Sequence, residues 1–477
     1  LNDAGRMFSS VVFILNDNGM SISRNVGGIS KYLGKIRTGK SYIRIKKNVK
    51  RIIGKIPLIG NFLVRKIQLL KAAFRLLAIP GEWFEALGVK YIGPVDGHNI
   101  PEIEKALNKA FYMNCPVLLH VITQKGHGYA NAEANPSFYH GVSARSDQAG
   151  KGQSYSAVMA EELSLLAEQD PDIVAVTAAM PSGTGLETFE KRYPGRFFDV
   201  GIAEEHAVTM AAGMAAAGIK PYVAIYSTFM QRAYDQLLHD CALQKLRVVI
   251  VLDRAGISGR DGRTHHGVYD IAYLNSIPNL SVCAPCCAEE LREMLRISAG
   301  SFPAGPFVIR YPAQDRFSGD LQAVLRNPVI YGKGAVLFET QEDTAQANVL
   351  IVSLGQITDQ CIRAAQLVRK QCNVTIFHAR FLKPLDEAGI LKCIADRKPD
   401  AIYSAEDGVT DAGFGSRIAM LLESQGIALH FEAIGVPAEP LDHGSVAELY
   451  QKAGMDPEGI AARILRGTEL LRKEQRV

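Results

Sequence analysis

The chain has 477 residues, 47 % of them apolar, and a formal net charge of +4. That length suggests about three domains, and the composition is that of a soluble α/β protein. So small a charge gives no footing for nucleic-acid binding, and no apolar run reaches the ~20 residues that cross a bilayer.

In chain order, Val11–Leu15 reads as a buried strand. Asn16 to Ser23 follows, with polar oxygens ahead of Gly19. Such oxygens at a strand end suit a hard cation, and they equally suit an Asx-rich turn. Residues 31–75 carry many Lys and Arg and no acid, interleaved with Leu, Ile and Val. A solvated cover is the preferred reading over a membrane-surface helix or a nucleic-acid patch, because aromatic residues are sparse. Order resumes at Gly81–Gly88. Tyr91–His98 is then a strand end and turn in which Asp96 and His98 serve the turn. Pro116–Thr123 is a further buried strand, and Gln124–Tyr129 brings Lys125 and Tyr129 to its end. His140 lies in a loop, and Ser143–Ser154 reads as a linker.

A second pattern opens with a helix at Tyr155 and a strand at Ile173–Met180. Arg196–Val200 reads as a buried strand, Gly201–Glu205 as an acidic turn, and Val208–Gly218 as a buried helix. Two adjacent carboxylates at a helix N-terminus suit its dipole. Ala224–Gln236 begins as a strand and ends as a helix. Val248–Gly256 is a strand with a charged end, which runs into Gly259–Gly267, a loop dense in Arg, Asp and His. In a parallel sheet these strand ends share one edge and line one crevice. Cys283, Cys286 and Cys287 have a spacing that zinc sites use, but no second ligand pair accompanies them. The eight cysteines, mostly in apolar runs, fit free thiols in a reducing, cytoplasmic compartment. Pro306–Pro312 is a strand closed by Arg310, a plausible anion ligand. From about residue 330 a third, smaller α/β pattern starts, with strands at Asn348–Leu354, Asn373–Phe377 and Ala401–Glu406. Its Gly413-Phe414-Gly415 turn lacks dinucleotide-binding spacing.

Three stretches carry a resemblance: Gly201-Ile202-Ala203-Glu204-Glu205-His206-Ala207-Val208-Thr209, Ile225 to Asp235, and Asp253-Arg254-Ala255-Gly256 through Thr264-His265. With them the chain resembles, over essentially its whole length, the 1-deoxy-D-xylulose-5-phosphate synthase family of transketolase-type thiamine-diphosphate enzymes. The resemblance implies an α/β fold of three doubly wound domains. These are a partial diphosphate and metal-side domain (1–150, including the mobile basic segment 31–75), a pyrimidine-side domain (151–325) and a C-terminal transketolase-like domain (326–477). It implies a transferase that condenses pyruvate with D-glyceraldehyde 3-phosphate, with decarboxylation, to 1-deoxy-D-xylulose 5-phosphate, the first step of non-mevalonate isoprenoid synthesis. The cofactors would be thiamine diphosphate and Mg²⁺, and the assembly a homodimer, with neither nucleic acid nor membrane as partner.

Residue by residue, Asn18 and the Met20 carbonyl match the family's metal ligands, while Tyr129 and Lys125 fall on the diphosphate side. His140 matches a histidine near the reacting carbons. Glu204 matches the acid that faces the aminopyrimidine ring, and Phe229 the ring stacked on it. Tyr226, Arg232, Arg254, Asp261 and Arg310 match substrate contacts, and His265 a proton shuttle. Two departures stand out: Glu205 replaces a more usual Gln, and Ala313 stands where a second basic residue is common. The family's Gly-Asp-Gly metal motif and upstream histidines have no match, which implies that an opening segment lies in a longer record or on a separate polypeptide. The alternatives are transketolase-type ketol transfer, disfavoured by the long Gly201–His206 motif, and a non-catalytic chain that binds or dimerises only.

Overall fold

The computed structural model describes residues 1–7, 10–20, 25, 27–38, 81–140, 154–259, 261–300, 302–342, 345 and 347–474. Most of the basic segment 31–75 and the linker 143–154 lie outside them. The chain forms two compact units, residues 1–145 and 146–477.

The first unit is built on a parallel three-stranded sheet, β1 (Val12–Asp17), β2 (Lys90–Asp96) and β3 (Val117–Ile122), in the order β1-β3-β2. β3 is buried along nearly its whole length because it is central. β1 was expected to be buried, but Ile14 is 59 % exposed, since β1 is an edge among the described strands. Helix Ile100–Phe111 covers one face. Asn99 caps it through its side-chain oxygen, which accepts the Glu102 N–H, and Pro101 sits in its first turn.

The second unit contains two sheets. One has seven strands: β4 (Ile173–Thr177), β5 (Phe197–Asp199), β6 (Lys220–Tyr226), β7 (Val249–Asp253), β8 (Ser281–Cys283), β9 (Phe307–Arg310) and, much later in the chain, β13 (Phe381–Lys383). The other contains β10 (Ala335–Glu339), β11 (Asn348–Leu354), β12 (Asn373–His378), β14 (Ala401–Val409) and β15 (His430–Val436). β13 (Phe381–Lys383) follows β12 in the chain yet pairs antiparallel with β8, so the C-terminal part lends a strand to the sheet before it. The seven run β13-β8-β9-β7-β6-β4-β5, and β4 to β9 are mutually parallel. Their continuous Val, Ile and Leu runs follow from being covered on both faces. β5 is the exception: its burial is only partial because it is an edge.

Two buried ionic clusters join the parts of this unit. Glu290 accepts from Arg380 Nε at 2.7 Å, lies 3.0 Å from His378 Nε2, and also accepts the Cys286 N–H. Cys286, Glu290 and His378 therefore stand together, but as an ion-pair network in which the carboxylate is already fully engaged. Burial alone would raise Glu290, but His378 and Arg380 beside it, with the Cys286 N–H, hold it well below the usual carboxylate range.

The other cluster centres on Arg310, whose Nε donates to Asp270 at 2.9 Å and whose Nη2 reaches the Asp407 carbonyl. Beside it Glu406 accepts the N–H groups of Phe414 and Gly415 at the start of helix Phe414–Ser424. Burial raises Glu406 to about 7 in spite of those donors. Folded chain thus keeps a proton that unfolded chain releases above about 4.5. Stability from this group is fully present below that pH and is lost as pH rises through about 7. Unfolding free energy measured by denaturant titration across that window should fall less steeply with pH in Glu406→Gln than in wild type, the difference being on the order of 1–3 kcal/mol.

Candidate active site

The turn after β5 is shaped by Asp199. One carboxylate oxygen accepts both the Gly201 N–H at 2.9 Å and the Ala179 N–H at 2.8 Å. Gly201 holds φ +75°, which a side chain would resist. The chain then enters helix Glu204–Ala216, whose buried residues are Glu204, Ala207, Val208, Ala211 and Ala212. This helix was expected to be buried, yet Glu205, His206, Thr209, Gly213 and Ala216 on its other side are exposed. Of the two adjacent acids, only Glu204 is taken out of water, at 2 % exposure.

Glu204 Oε1 accepts from Arg232 Nη1 at 2.7 Å, whereas Oε2 is buried with no hydrogen-bond partner among the described residues. A bare carboxylate oxygen in such a place is costly and points to a donor brought by a ligand. Phe229 supplies an aromatic face nearby: the Arg232 guanidinium carbon lies 5.2 Å from its ring centroid. Phe229 also stacks on Tyr226 at 5.7 Å and meets His265 edge-on at 5.4 Å. The Arg254 guanidinium lies 4.0 Å from the Tyr226 ring centroid and is held by the Gly183 carbonyl and by Asp253, each at 2.9 Å. Burial raises Tyr226 to about 12, so its hydroxyl stays protonated. His265 Nδ1 lies 2.9 Å from Thr264 Oγ1, and Asp261 is exposed in the same loop.

Six of the residues expected in the site are thus linked in one chain of contacts: Glu204, Arg232, Phe229, Tyr226, Arg254 and His265. They come from the carboxyl ends of β5, β6 and β7. β4 intervenes between β5 and β6, so these are not adjacent strands. Arg310 is placed differently, at 3 % exposure and in ionic contact with Asp270. Asp270 has no sequence signature, yet it accepts the Ser227 hydroxyl at 3.0 Å as well, tying Arg310 to the turn that carries Tyr226 and Phe229.

In the first unit, Asn18 Oδ1 accepts the Met20 N–H and Asp17 Oδ1 accepts the Gly19 N–H, each at 2.9 Å. The turn is therefore an Asx turn, and Asn18 Oδ1 keeps a second lone pair for a ligand. Behind it lies a relay that sequence reading missed. Asp17 Oδ2 lies 3.0 Å from His120 Nε2, and Tyr91 OH lies 2.8 Å from His120 Nδ1. His98 does more than serve its own turn. Its Nε2 accepts the Gln124 N–H at 2.9 Å and so braces the segment bearing Lys125 and Tyr129. Burial lowers Lys125 from its ordinary value. Tyr129 meets Tyr139 edge-on at 5.5 Å, and His140 ends the short 3₁₀ turn Phe138–His140.

Three family models match in succession: 1-deoxy-D-xylulose-5-phosphate synthase over residues 1–123, the transketolase pyrimidine binding domain over 151–316, and the transketolase C-terminal domain over 339–460. The 1-deoxy-D-xylulose-5-phosphate synthase of Caldanaerobacter subterraneus subsp. tengcongensis is 43 % identical over 98 % of this chain and 74 % of its own length. The chain belongs to the 1-deoxy-D-xylulose-5-phosphate synthase family. The synthase of Heliobacterium modesticaldum is 42 % identical over 97 % of this chain and 71 % of its own length, so the chain spans about three quarters of such relatives.

Among solved structures, a split gene transketolase, an inactive beta4 tetramer, is similar with TM-score 0.57 and 25 % identity. The match covers 66 % of this chain and 98 % of that one. The transketolase of Campylobacter jejuni, with TM-score 0.51 and 16 % identity over 98 % of this chain and 74 % of its own, shares the fold. The family reaction condenses pyruvate with D-glyceraldehyde 3-phosphate to 1-deoxy-D-xylulose 5-phosphate, a transketolase-type transfer dependent on thiamine diphosphate. Among the described residues, no helix is long and apolar enough to cross a membrane.

The cluster around Tyr226 has one point where a single methyl group should tell. A Cβ at Gly183 would stand 1.9 Å from the Tyr226 hydroxyl. Gly183→Ala should therefore push the Tyr226 ring off Arg254 and lower the melting temperature by about 2–6 °C, as a thermal unfolding scan would show. Circular dichroism in the far ultraviolet should stay unchanged.

Proposed function

We propose that Glu204 is the acid of the thiamine-diphosphate site and that Phe229 is the ring on which the aminopyrimidine stacks. The observation carrying this reading is the buried, unpartnered Glu204 Oε2. It fits a cofactor whose pyrimidine nitrogen would supply the missing partner, and Phe229 stands next to the acid's anchoring arginine. When bound, thiamine diphosphate supplies a nucleophilic carbon that adds to the ketone of pyruvate and lets carbon dioxide leave.

The chain's own residues do the rest. Glu204 Oε2 would be the residue that meets the cofactor's pyrimidine nitrogen, in a place from which water is excluded. Tyr226, kept protonated, and Arg254, fixed by Gly183 and Asp253, offer donors to the triose phosphate. His265, edge-on to Phe229, moves a proton to or from the acceptor's oxygen, and Asp261 accepts from its hydroxyl. Arg310 acts from behind through Asp270 and Ser227, setting the turn that bears Tyr226. On the first unit Asn18 and the Met20 carbonyl are the proposed Mg²⁺ ligands, Lys125 and Tyr129 the proposed diphosphate-side contacts, and His140 the proposed histidine near the reacting carbons. The exposed side of helix Glu204–Ala216 and the exposed Ile202 support a homodimer that covers them. The soluble composition supports a cytoplasmic location.

With thiamine diphosphate, Mg²⁺, pyruvate and triose phosphate, carbon dioxide should be released only while the aldehyde is present. Release without it, or failure to bind cofactor, would refute the assignment to this chain. Glu204→Gln should lower kcat at least about 100-fold, whereas Glu205→Gln, an exposed neighbour, should leave kcat within about two-fold.

A further inference from the structure

We infer that Arg232 is a positioning residue that fixes Glu204 and Phe229 relative to each other, and that it is not a ligand of the triose phosphate. The inference rests on the reading of Glu204 as the cofactor's acid. Glu204 and Arg232 come from different parts of the sheet edge, the first from the turn after β5 and the second from the 3₁₀ turn Gln231–Ala233 after β6. β4 lies between those strands. No hydrogen bond among the described residues joins the two turns apart from Arg232 Nη1 to Glu204 Oε1, at 2.7 Å.

The pair is unequal. Glu204 is 2 % exposed and Arg232 is 48 % exposed. The carboxylate has given up water and depends on this one cation, while the guanidinium retains contact with solvent. Taking Arg232 away to hold a phosphate would strip a buried carboxylate of its only partner among the described residues, the costly way to break such a pair.

The division of the two oxygens gives the pair its use. Oε1 is claimed by the guanidinium, which fixes the plane of the carboxylate, and Oε2 is left bare. The same guanidinium lies 5.2 Å from the centroid of Phe229, in the helical segment Ser227–Met230 just before its turn. One side chain therefore sets both the direction of the acid and the placement of the aromatic face. Lysine could neutralise the charge but could not match the planar contact.

A positioning role and a substrate-ligand role predict opposite kinetic patterns. With Arg232→Gln, thiamine diphosphate affinity measured by titration calorimetry should fall roughly ten-fold or more. KM for the triose phosphate at saturating cofactor should stay within about two-fold of wild type. Arg232→Lys should recover part of the affinity, and Arg232→Gln should cost no further affinity in a Glu204→Gln background. The reverse pattern, a raised triose-phosphate KM with unchanged cofactor affinity, would overturn the inference. A second arm needs no cofactor. Melting temperatures of wild type, the two single Gln variants and the double variant should be non-additive, and strict additivity would also overturn it. If wild type takes up no thiamine diphosphate at all, the cofactor reading of Glu204 fails, and the melting cycle still decides whether the pair exists.

Discussion

A carboxylate taken out of water, with only one of its two oxygens paired among the described residues, is the constraint on which the rest of this molecule turns. A buried polar atom without a partner is kept only where something compensates for it. Here the surroundings are organised to tolerate it. Asp199 and Gly201 bend the chain so that a helix begins at Glu204, and the helix turns that residue inward together with Ala207, Val208 and Ala211. Small side chains let the helix approach the sheet closely enough to exclude solvent.

The second level of organisation lies behind the strand ends. Asp270 accepts from Ser227 and from Arg310, and Arg310 in turn meets the Asp407 backbone. Asp407 accepts the Ile357 N–H and the Tyr450 hydroxyl. The turn that carries Tyr226 and Phe229 is thereby tied through buried polar contacts to elements more than a hundred residues later. Networks of this kind are strong while every member is satisfied and costly once one is removed. The C-terminal sheet thus braces that turn.

Much of this was legible in the sequence, for physical reasons that vary by element. The parallel strands announced themselves as continuous apolar runs because both faces are covered, and the turn motifs after them located the strand ends. The choice of Glu204 over Glu205 rests on the resemblance; in the helix, Glu204 lies three, four and seven residues before the buried Ala207, Val208 and Ala211. Burial of β1, β5 and the far side of the Glu204 helix was overestimated, because an apolar run does not reveal whether its strand is central or an edge. Asp270 and the Asp17–His120–Tyr91 relay were invisible, as their meaning arises only when distant segments converge. Arg310 could be recognised as a cation at a strand end, but not as one shielded by Asp270. The brevity of β13, three residues beside Arg380, hid it from any periodicity.

That short strand has a consequence for how the chain is made. Phe381 is wholly buried against the sheet formed by β8 and its neighbours, and Lys383 reaches the carbonyls of Asn275 and Ile277. The edge of β8 therefore stays bare on the ribosome until some seventy residues beyond β9 have been synthesised. A nascent chain in that interval presents an open hydrogen-bonding edge to its neighbours. The C-terminal part thus supplies the last strand of the seven-stranded sheet, which is not a finished body when the chain is cut ahead of β13.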